Sequence, residues 1–485
     1  MREALKEFGI AARLRQGPLR NRLSKDVSCG MLHPLMPDFD APAFLKQLQS
    51  RRNFLRQSGR LLLAVPLFGF AGTPSCSSGS GTSTTPPNNG YTGTDDQLLD
   101  DLESTAFQFF WNQANPTTGF IKDRANAAGS DTYTDCSIAS TGFGLTALCI
   151  ADSRGYATSA ALQSRVLLTL QSLQTLAAGH QGFFYHFLDW GTGARYNQCE
   201  LSSIDTAILM CGVLSVRQHF SSNAAIVAAA NQLYQAVNWP WMLNGGQTLS
   251  MGWTPESGFI TTRWDHYCEL MMMYLLGIGS TTYPLPASSW QAWSRPTYTY
   301  QGITYISAGD PLFVHQYSHA WIDFRNQHDS YADYFQNSVY ATQAHKLFCL
   351  SLEAQFSDYG TNFWGITASD SRNGYVAWGG PPALGPLDGT VVPCAAAGSV
   401  PFVPADCIAV LRNLRGYYPS AWGRYGFTDA LNPLYNWYNP DVLGIDLGIG
   451  MLMAENYRSG SVWSNFMTSP EIKSAMTLAG FLPNA

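Results

Sequence analysis

Charge is what this sequence has least of. Asp, Glu, Lys and Arg make up only 13% of its 485 residues, about half the usual share, and no Lys/Arg run lies in the part expected to fold. Nothing here could track a phosphate backbone, so nucleic acid is excluded as a partner. There is no GxSxG elbow, no GxxxxGK[ST] loop and no GxGxxG after a strand, which removes support for serine-hydrolase, kinase and dinucleotide chemistry. No two cysteines are spaced as CxxC, so a zinc ribbon or dithiol redox site has no support either. The apolar run Leu61 to Ala71 contains Pro66 and falls short of the ~20 residues that span a bilayer.

Aromatic residues are abundant instead: 14 Trp, 24 Tyr and 26 Phe. With ions scarce, polar contacts must come from amides, hydroxyls and ring edges, a surface suited to a neutral, hydroxyl-rich ligand.

Ser50-Arg51-Arg52-Asn53-Phe54-Leu55-Arg56, the apolar run and the small residues up to Cys76 resemble a twin-arginine export signal over 50–76. Residues 1–50 form an N-terminal extension, with Met31 or Met36 as alternative starts. Cys76 stands where a lipoprotein cysteine would be acylated, although Thr73 occupies a position where an aliphatic residue is expected. A flexible Ser/Gly/Thr/Pro linker follows over 77–94, then one domain over 95–485. The protein is therefore expected outside the cytoplasm, periplasmic or lipid-anchored at Cys76, as a monomer without metal or cofactor. Of the cysteines in the domain, Cys394 and Cys407 flank a loop and are a candidate disulfide.

Helical periodicity starts at Asp95 and recurs at about 138–153, 158–178, 202–220, 224–238, 264–278, 286–294, 316–324, 333–357, 404–415, 445–458 and 468–480. Long Gly-, Trp- and Pro-rich loops mostly follow alternate helices. This pattern predicts an all-α (α/α)6 toroid, six helical hairpins with their loops gathered at one mouth, and little strand. An α-solenoid fits less well, because no fixed repeat is visible.

The candidate chemistry lies in acids at helix starts and in apolar segments. In Cys199-Glu200-Leu201-Ser202-Ser203-Ile204-Asp205, the serines cap a helix whose first turn holds Asp205, with Glu200 just outside it. The plainer reading of Asp205 is that it only completes the cap. Glu269 sits in a segment apolar all round, so its carboxyl faces an interior or a lined cavity, as a general acid does; a purely structural buried Glu is the alternative. Asp441 and Asp446 flank another helix start, where an ionised carboxylate suits a base that activates water, one of the two serving as cap. His315, His319 and Asp323 recur every fourth residue in a predicted helix that also carries Trp321 and Arg325; sugar hydroxyl binding is favoured there over a metal. Trp253 and Glu256, and the loops of Trp364 and Trp378, place indoles beside polar groups as carbohydrate sites do.

Leu98-Leu99-Asp100-Asp101-Leu102-Glu103 through Phe110-Trp111, Phe184-Tyr185-His186-Phe187-Leu188-Asp189, Glu200-Leu201-Ser202-Ser203-Ile204-Asp205-Thr206-Ala207, Glu269 with Tyr274-Leu275-Leu276-Gly277-Ile278-Gly279-Ser280, Trp321-Ile322-Asp323-Phe324-Arg325, and Asn439-Pro440-Asp441 through Glu455-Asn456-Tyr457-Arg458-Ser459-Gly460 occur in that order. Together they resemble the bacterial glycoamylase-like domain family and its relatives, the endo-β-1,2-glucanases with an (α/α)6 toroid. The resemblance covers residues 95 to 482. It implies an inverting glycoside hydrolase acting on β-1,2-glucan, with the acid matching Glu269 and further essential carboxylates near Glu200. Asp446 is the expected base and Asp441 the second choice. Asp205, Trp253, Glu256, His319, Trp321, Asp323 and Arg325 are expected to bind sugar or orient the acids. Some relatives carry an acid three residues before the Glu200 position, where this chain has Asn197. The alternatives are hydrolysis or transglycosylation of another glucan, α-linked included, and a non-catalytic surface lipoprotein that captures oligosaccharides.

Overall fold

The computed structural model describes residues 90–380 and 386–484; the export segment, Cys76 and most of the linker lie outside the described residues. The chain is mostly helical. In order, the helices are α1 (Asp95–Asn112), α2 (Ile138–Arg154), α3 (Ser159–Thr175), α4 (Ser203–His219), α5 (Ala224–Ala236), α6 (Trp239–Leu243), α7 (Met271–Ile278), α8 (Tyr334–Ser351), α9 (Pro393–Ala397), α10 (Pro404–Tyr417), α11 (Gly444–Arg458), α12 (Ser461–Phe466) and α13 (Pro470–Ala479). Side-chain caps start most of the long ones: Thr94 and Gln97 form a capping box on α1, while Ser137, Thr158, Ser202, Asn223 and Asp333 cap α2, α3, α4, α5 and α8.

Two layers follow from where apolar residues fall. Every residue of α7 is buried, as is nearly all of α2, α4 and α11, because no face of these helices is polar. Helix α2 packs against α4 and α11, and α4 against α7. Outside them, α3 buries only the stripe Leu162, Val166, Thr169, Leu170, Ser172 and Leu173, and α1 and α5 are likewise one-sided. Glycine sets the inner spacing. A Cβ on Gly212 would lie 2.2 Å from the Gly142 carbonyl oxygen, so α2 and α4 meet backbone to backbone.

The inner helices share a direction. Ser137, just ahead of α2, pairs with Phe187, and Leu443, just ahead of α11, pairs with Arg124, so both starts lie among the same rim loops as the start of α4. At the opposite end, Arg154 and Arg458 hold the buried carboxylates of Glu103 and Glu455, and Arg217 holds Glu471. The positive ends of the inner helix dipoles thus converge on one mouth.

Several expectations are corrected. Trp264 to Leu270 is not helical; Glu269 occupies the turn before α7. The stretch 316–324 is not a helix but follows two 3₁₀ turns, Leu312–His315 and Tyr317–Ala320, and 286–294 retains only Ala287–Trp290. Strand is more plentiful than expected, with eight two-stranded sheets and one three-stranded sheet among the described residues. Loops this long and this buried must pair their own amides and carbonyls. Cys394 and Cys407 are both free, buried thiols.

The close α2–α4 contact makes a test. Gly212→Ala should destabilise the fold by about 1–3 kcal/mol through overpacking. Gly360→Ala, where an added Cβ meets nothing within 4 Å, should leave the unfolding midpoint unchanged. Thermal or denaturant unfolding of the two variants checks this.

Candidate active site

Glu200 enters the mouth on the extended segment leading into α4. Its sheet partner must be small: a Cβ on Gly252 would lie 2.9 Å from Glu200 Cγ. Before it, Asn197 and Gln198 turn the chain with φ of 47° and 56°, a left-handed conformation that Asn adopts more readily than most residues. This gives Asn197 a backbone role. The His186 imidazole bridges two acids, with Nδ1 3.1 Å from Glu200 and Nε2 3.5 Å from Asp205. Burial alone would discharge His186, yet Asp205 and Glu200, with Asp123 behind them, push it up to about 9. Asp205 has both roles considered for it: its backbone N–H donates to the Ser202 cap at 3.2 Å, and its carboxylate accepts from Ser202 Oγ at 2.5 Å while facing His186.

A second group surrounds Arg124, on the short strand paired with Asp441–Leu443. Its guanidinium lies 2.9 Å from Asp370, 3.3 Å from Asp123 and 3.9 Å from Asp441. Burial opposes the charge, but Asp123, Asp370 and Asp429 together hold Arg124 firmly protonated. Asp441 also accepts the Tyr133 hydroxyl at 2.7 Å. These bonds commit Asp441 to structure, which leaves Asp446 as the better placed of the two helix-start acids.

Asp446, in the first turn of α11, bonds to Asp429 and to the Cys394 thiol. Burial raises its carboxyl to about 6, and those two bonds restrain the rise. Burial, then repulsion from Asp446 and Asp370, lifts Asp429 well above the ordinary range. A hollow at these residues is lined by Cys394, Thr428, Asp429 and Asp446 and by apolar groups of α1 and α11; neither Glu269 nor Glu200 borders it.

Glu269 is only 3% exposed. Ser318 fixes its turn, accepting from Met272 N at 3.1 Å and donating to the Glu269 carbonyl at 2.9 Å, and the Trp264 indole ties the same segment to Ser203 of α4 at 2.8 Å. The negative charge of Glu269 favours protonated His266, behind the stronger effects of Asp265 and Asp310. Tyr317 relates the two principal acids: burial, then the charges of Asp446 and, more weakly, Glu269 hold its hydroxyl protonated. Electrostatic contact therefore runs from Glu200 through His186 and Asp123 to Asp446, and on through Tyr317 to Glu269.

Other expected residues lie elsewhere. His319 is fully buried, its Nε2 3.1 Å from Ser338 Oγ, and burial pulls its imidazole down to about 3. Trp321 is also fully buried and donates to Thr146 at 2.9 Å. Neither can reach a sugar in this structure. Asp323 and Arg325 pair with each other at 2.8 Å, and Arg325 lies over the Trp463 ring of α12, at the end away from the mouth. Trp253 pairs with Leu201 and faces away from Gly252 and Glu200, stacked on His180. Glu256 is taken by Arg195 at 2.6 Å, whose other N–H groups brace the carbonyls of Gln198 and Cys199. Trp364 and Trp378 are core residues. Conversely, periodicity did not single out Asp123, Arg124, Asp429 or Tyr317, because three of them lie on loops or a three-residue strand.

The family model described as "Glycoamylase: Putative glucoamylase" matches residues 261–470, which contain Glu269, Tyr317, Asp429 and Asp446. A Parabacteroides distasonis protein named exo β-1,2-glucooligosaccharide sophorohydrolase (non-reducing end) is 28% identical over 427 residues, covering 79% of this chain and 58% of its own length. The endo-β-1,2-glucanase of Chitinophaga pinensis, solved with sophorotriose and glucose, superposes with a TM-score of 0.76 at 28% identity, covering 81% of this chain and 99% of that one. The chain is thus similar to the glycoamylase-like family, in sequence over residues 261–470 and in fold over most of its length. A β-1,2-glucanase from Parabacteroides distasonis also superposes on this chain, with a TM-score of 0.75 at 26% identity over 80% of this chain and 60% of that one. The fungal endo-β-1,2-glucanase of Talaromyces funiculosus shares the fold at 13% identity and a TM-score of 0.53. The chain spans little more than half the length of its curated relative.

His186 gives the domain a pH signature. Its folded value of about 9 stands above the ordinary 6.5, so the stability it contributes is complete below about 6.5 and is lost as pH rises through about 9. His186→Gln should remove that dependence. Unfolding midpoints of the wild type and variant from about pH 6 to about pH 10 should diverge at the low end and converge at the high end.

Proposed function

We propose that this chain hydrolyses β-1,2-linked glucan with inversion at the anomeric carbon, in an (α/α)6 toroid whose mouth carries the acids. One observation carries the reading: Glu269 in the turn before α7 and Asp446 in the first turn of α11 lie at the starts of two inner helices, and the charges of both add to burial in holding the Tyr317 hydroxyl protonated. That arrangement suits two carboxyls working on opposite faces of one sugar ring. The names of the relatives at 26 to 28% identity supply the linkage.

In this reading Glu269 gives its proton to the glycosidic oxygen as the bond from that oxygen to the anomeric carbon breaks. Asp446 takes a proton from a water whose oxygen attacks the same carbon from the other face. A carboxyl at about 6 is ionised over the neutral range yet basic enough to accept that proton. Glu200, Asp205 and protonated His186 offer acceptors and a donor to the sugar hydroxyls. The scarcity of Lys and Arg fits an uncharged polymer. We infer also that the domain works outside the cytoplasm after twin-arginine export, released to the periplasm or held by lipid on Cys76.

Glu269→Gln and Asp446→Asn should each lower turnover of linear β-1,2-glucan by at least ~10²-fold. Proton NMR during the first turnovers should show the α-anomer at the new reducing end. A β-anomer, or undiminished turnover in either variant, would refute the assignment.

A further inference from the structure

Asp429 lies outside every helix, in the chain between the Trp422–Gly423 strand and the Leu431–Asn432 strand, and is 2% exposed. Its bonds are asymmetric. Oδ2 accepts two N–H groups, the Asp370 backbone amide at 2.9 Å and the Asn439 side chain at 2.7 Å. Oδ1 is buried and has no N–H or hydroxyl partner, and the same holds for Asp446 Oδ2. The two carboxyls nevertheless hydrogen-bond to each other. A bond between two carboxyls requires one proton between them, and no cation replaces it, because Arg124 is spent on Asp123 and Asp370.

The pattern of donors decides which carboxyl owns that proton. A neutral acid has a carbonyl oxygen that accepts and a hydroxyl that donates. Asp429 matches this description: Oδ2 takes both N–H groups as a carbonyl would, and Oδ1, buried with no N–H or hydroxyl donor, is left as the hydroxyl for Asp446. Asp446 has the complementary environment: it receives the Cys394 thiol and the Asp429 hydroxyl, both donors, as a carboxylate should. The other groups facing the pair are Asp123 and Asp370, which repel negative charge, Arg124, which offsets them, and Tyr317, whose hydroxyl stays protonated.

We propose that Asp429 is a positioning residue of the hydrolytic site, a neutral carboxylic acid whose hydroxyl holds Asp446 ionised and aimed at the attacking water. The proposal rests on the role given to Asp446 above. Asp429 keeps its own proton through the cycle: the water's proton passes to Asp446, and leaves from Asp446 when the site resets.

Asp429→Asn preserves this pattern, since an amide also presents one carbonyl and one donor, whereas Asp429→Ala removes it. The asparagine variant should keep kcat within about tenfold of wild type and leave the acidic limb of the pH profile near its original position. The alanine variant should move that limb to higher pH and lose kcat rather than raise KM. An asparagine variant as inactive as Asp446→Asn would overturn the proposal, because Asp429 would then have to be ionised, as would an acidic limb that moves in neither variant. A second measurement does not depend on turnover. Infrared spectra at pH 7 should contain a protonated-carboxyl band in the wild-type protein that Asp429→Asn removes, and the absence of that difference would also overturn the proposal. If that band is present but the wild type leaves β-1,2-glucan intact, the assigned function fails and the shared proton stands.

Discussion

The mouth of this domain collects more carboxylates than it has cations to neutralise them. Asp123, Glu200, Asp205, Asp370, Asp429, Asp441 and Asp446 meet there, and the cations bonded to them are Arg124 and His186. At ~4 Å in a partly dry site, each unpaired repulsion would cost several kcal/mol, so the acids cannot all be ionised together. The structure meets this constraint in three ways. Arg124 serves several acids at once, His186 is pushed into its charged form, and one member of the Asp429–Asp446 pair keeps a proton. Acid–base chemistry then needs no special device, because a set of carboxyls forced to differ in protonation already contains a donor and an acceptor.

The fold supplies the remaining stabilisation. With α2, α4, α7 and α11 starting at the same end, their unpaired N–H groups and positive dipole ends face the acids. Such an arrangement requires the inner helices to lie close and parallel in sense, and the Gly142–Gly212 contact permits it. The compensating positive side chains sit at the far end, where Arg154, Arg217 and Arg458 neutralise buried Glu residues. That end keeps a conflict of its own, since burial and then the charge of Glu455 push Glu103 up to about 8 against the pull of Arg458 and Arg154.

Sequence carried the parts of this picture that depend on local pattern. Helices with caps and a clear stripe, such as α1, α3 and α5, were legible to within a few residues, and so were Glu200, Asp205 and Asp446, because helix starts announce themselves. Composition misled where tertiary bonds override periodicity. Trp264 to Leu270 runs directly into an apolar helix, yet Ser203 and Ser318 hold it out of helical form, with Glu269 buried in the turn before α7. His315, His319 and Asp323 have helical spacing, but they follow 3₁₀ turns with about three residues per turn, so residues four apart do not line up. Asp429 carried no signal, since its importance comes from Asn439 and Asp370, which reach it through long-range folding.

The same reasoning explains why aromatic abundance was an ambiguous guide. Trp290, Trp293, Trp321, Trp364 and Trp378 are buried, and they replace the ionic and aliphatic packing that a domain with so few charges and such long loops would otherwise need. An indole buries a large area and still offers an N–H; Trp321 uses it on Thr146 and Trp290 on Asp329. A buried tyrosine can go further. Burial, then the charge of Asp446 and more weakly that of Glu269, keeps the Tyr317 hydroxyl protonated. A neutral hydroxyl there adds no charge of its own to a mouth that already has too many.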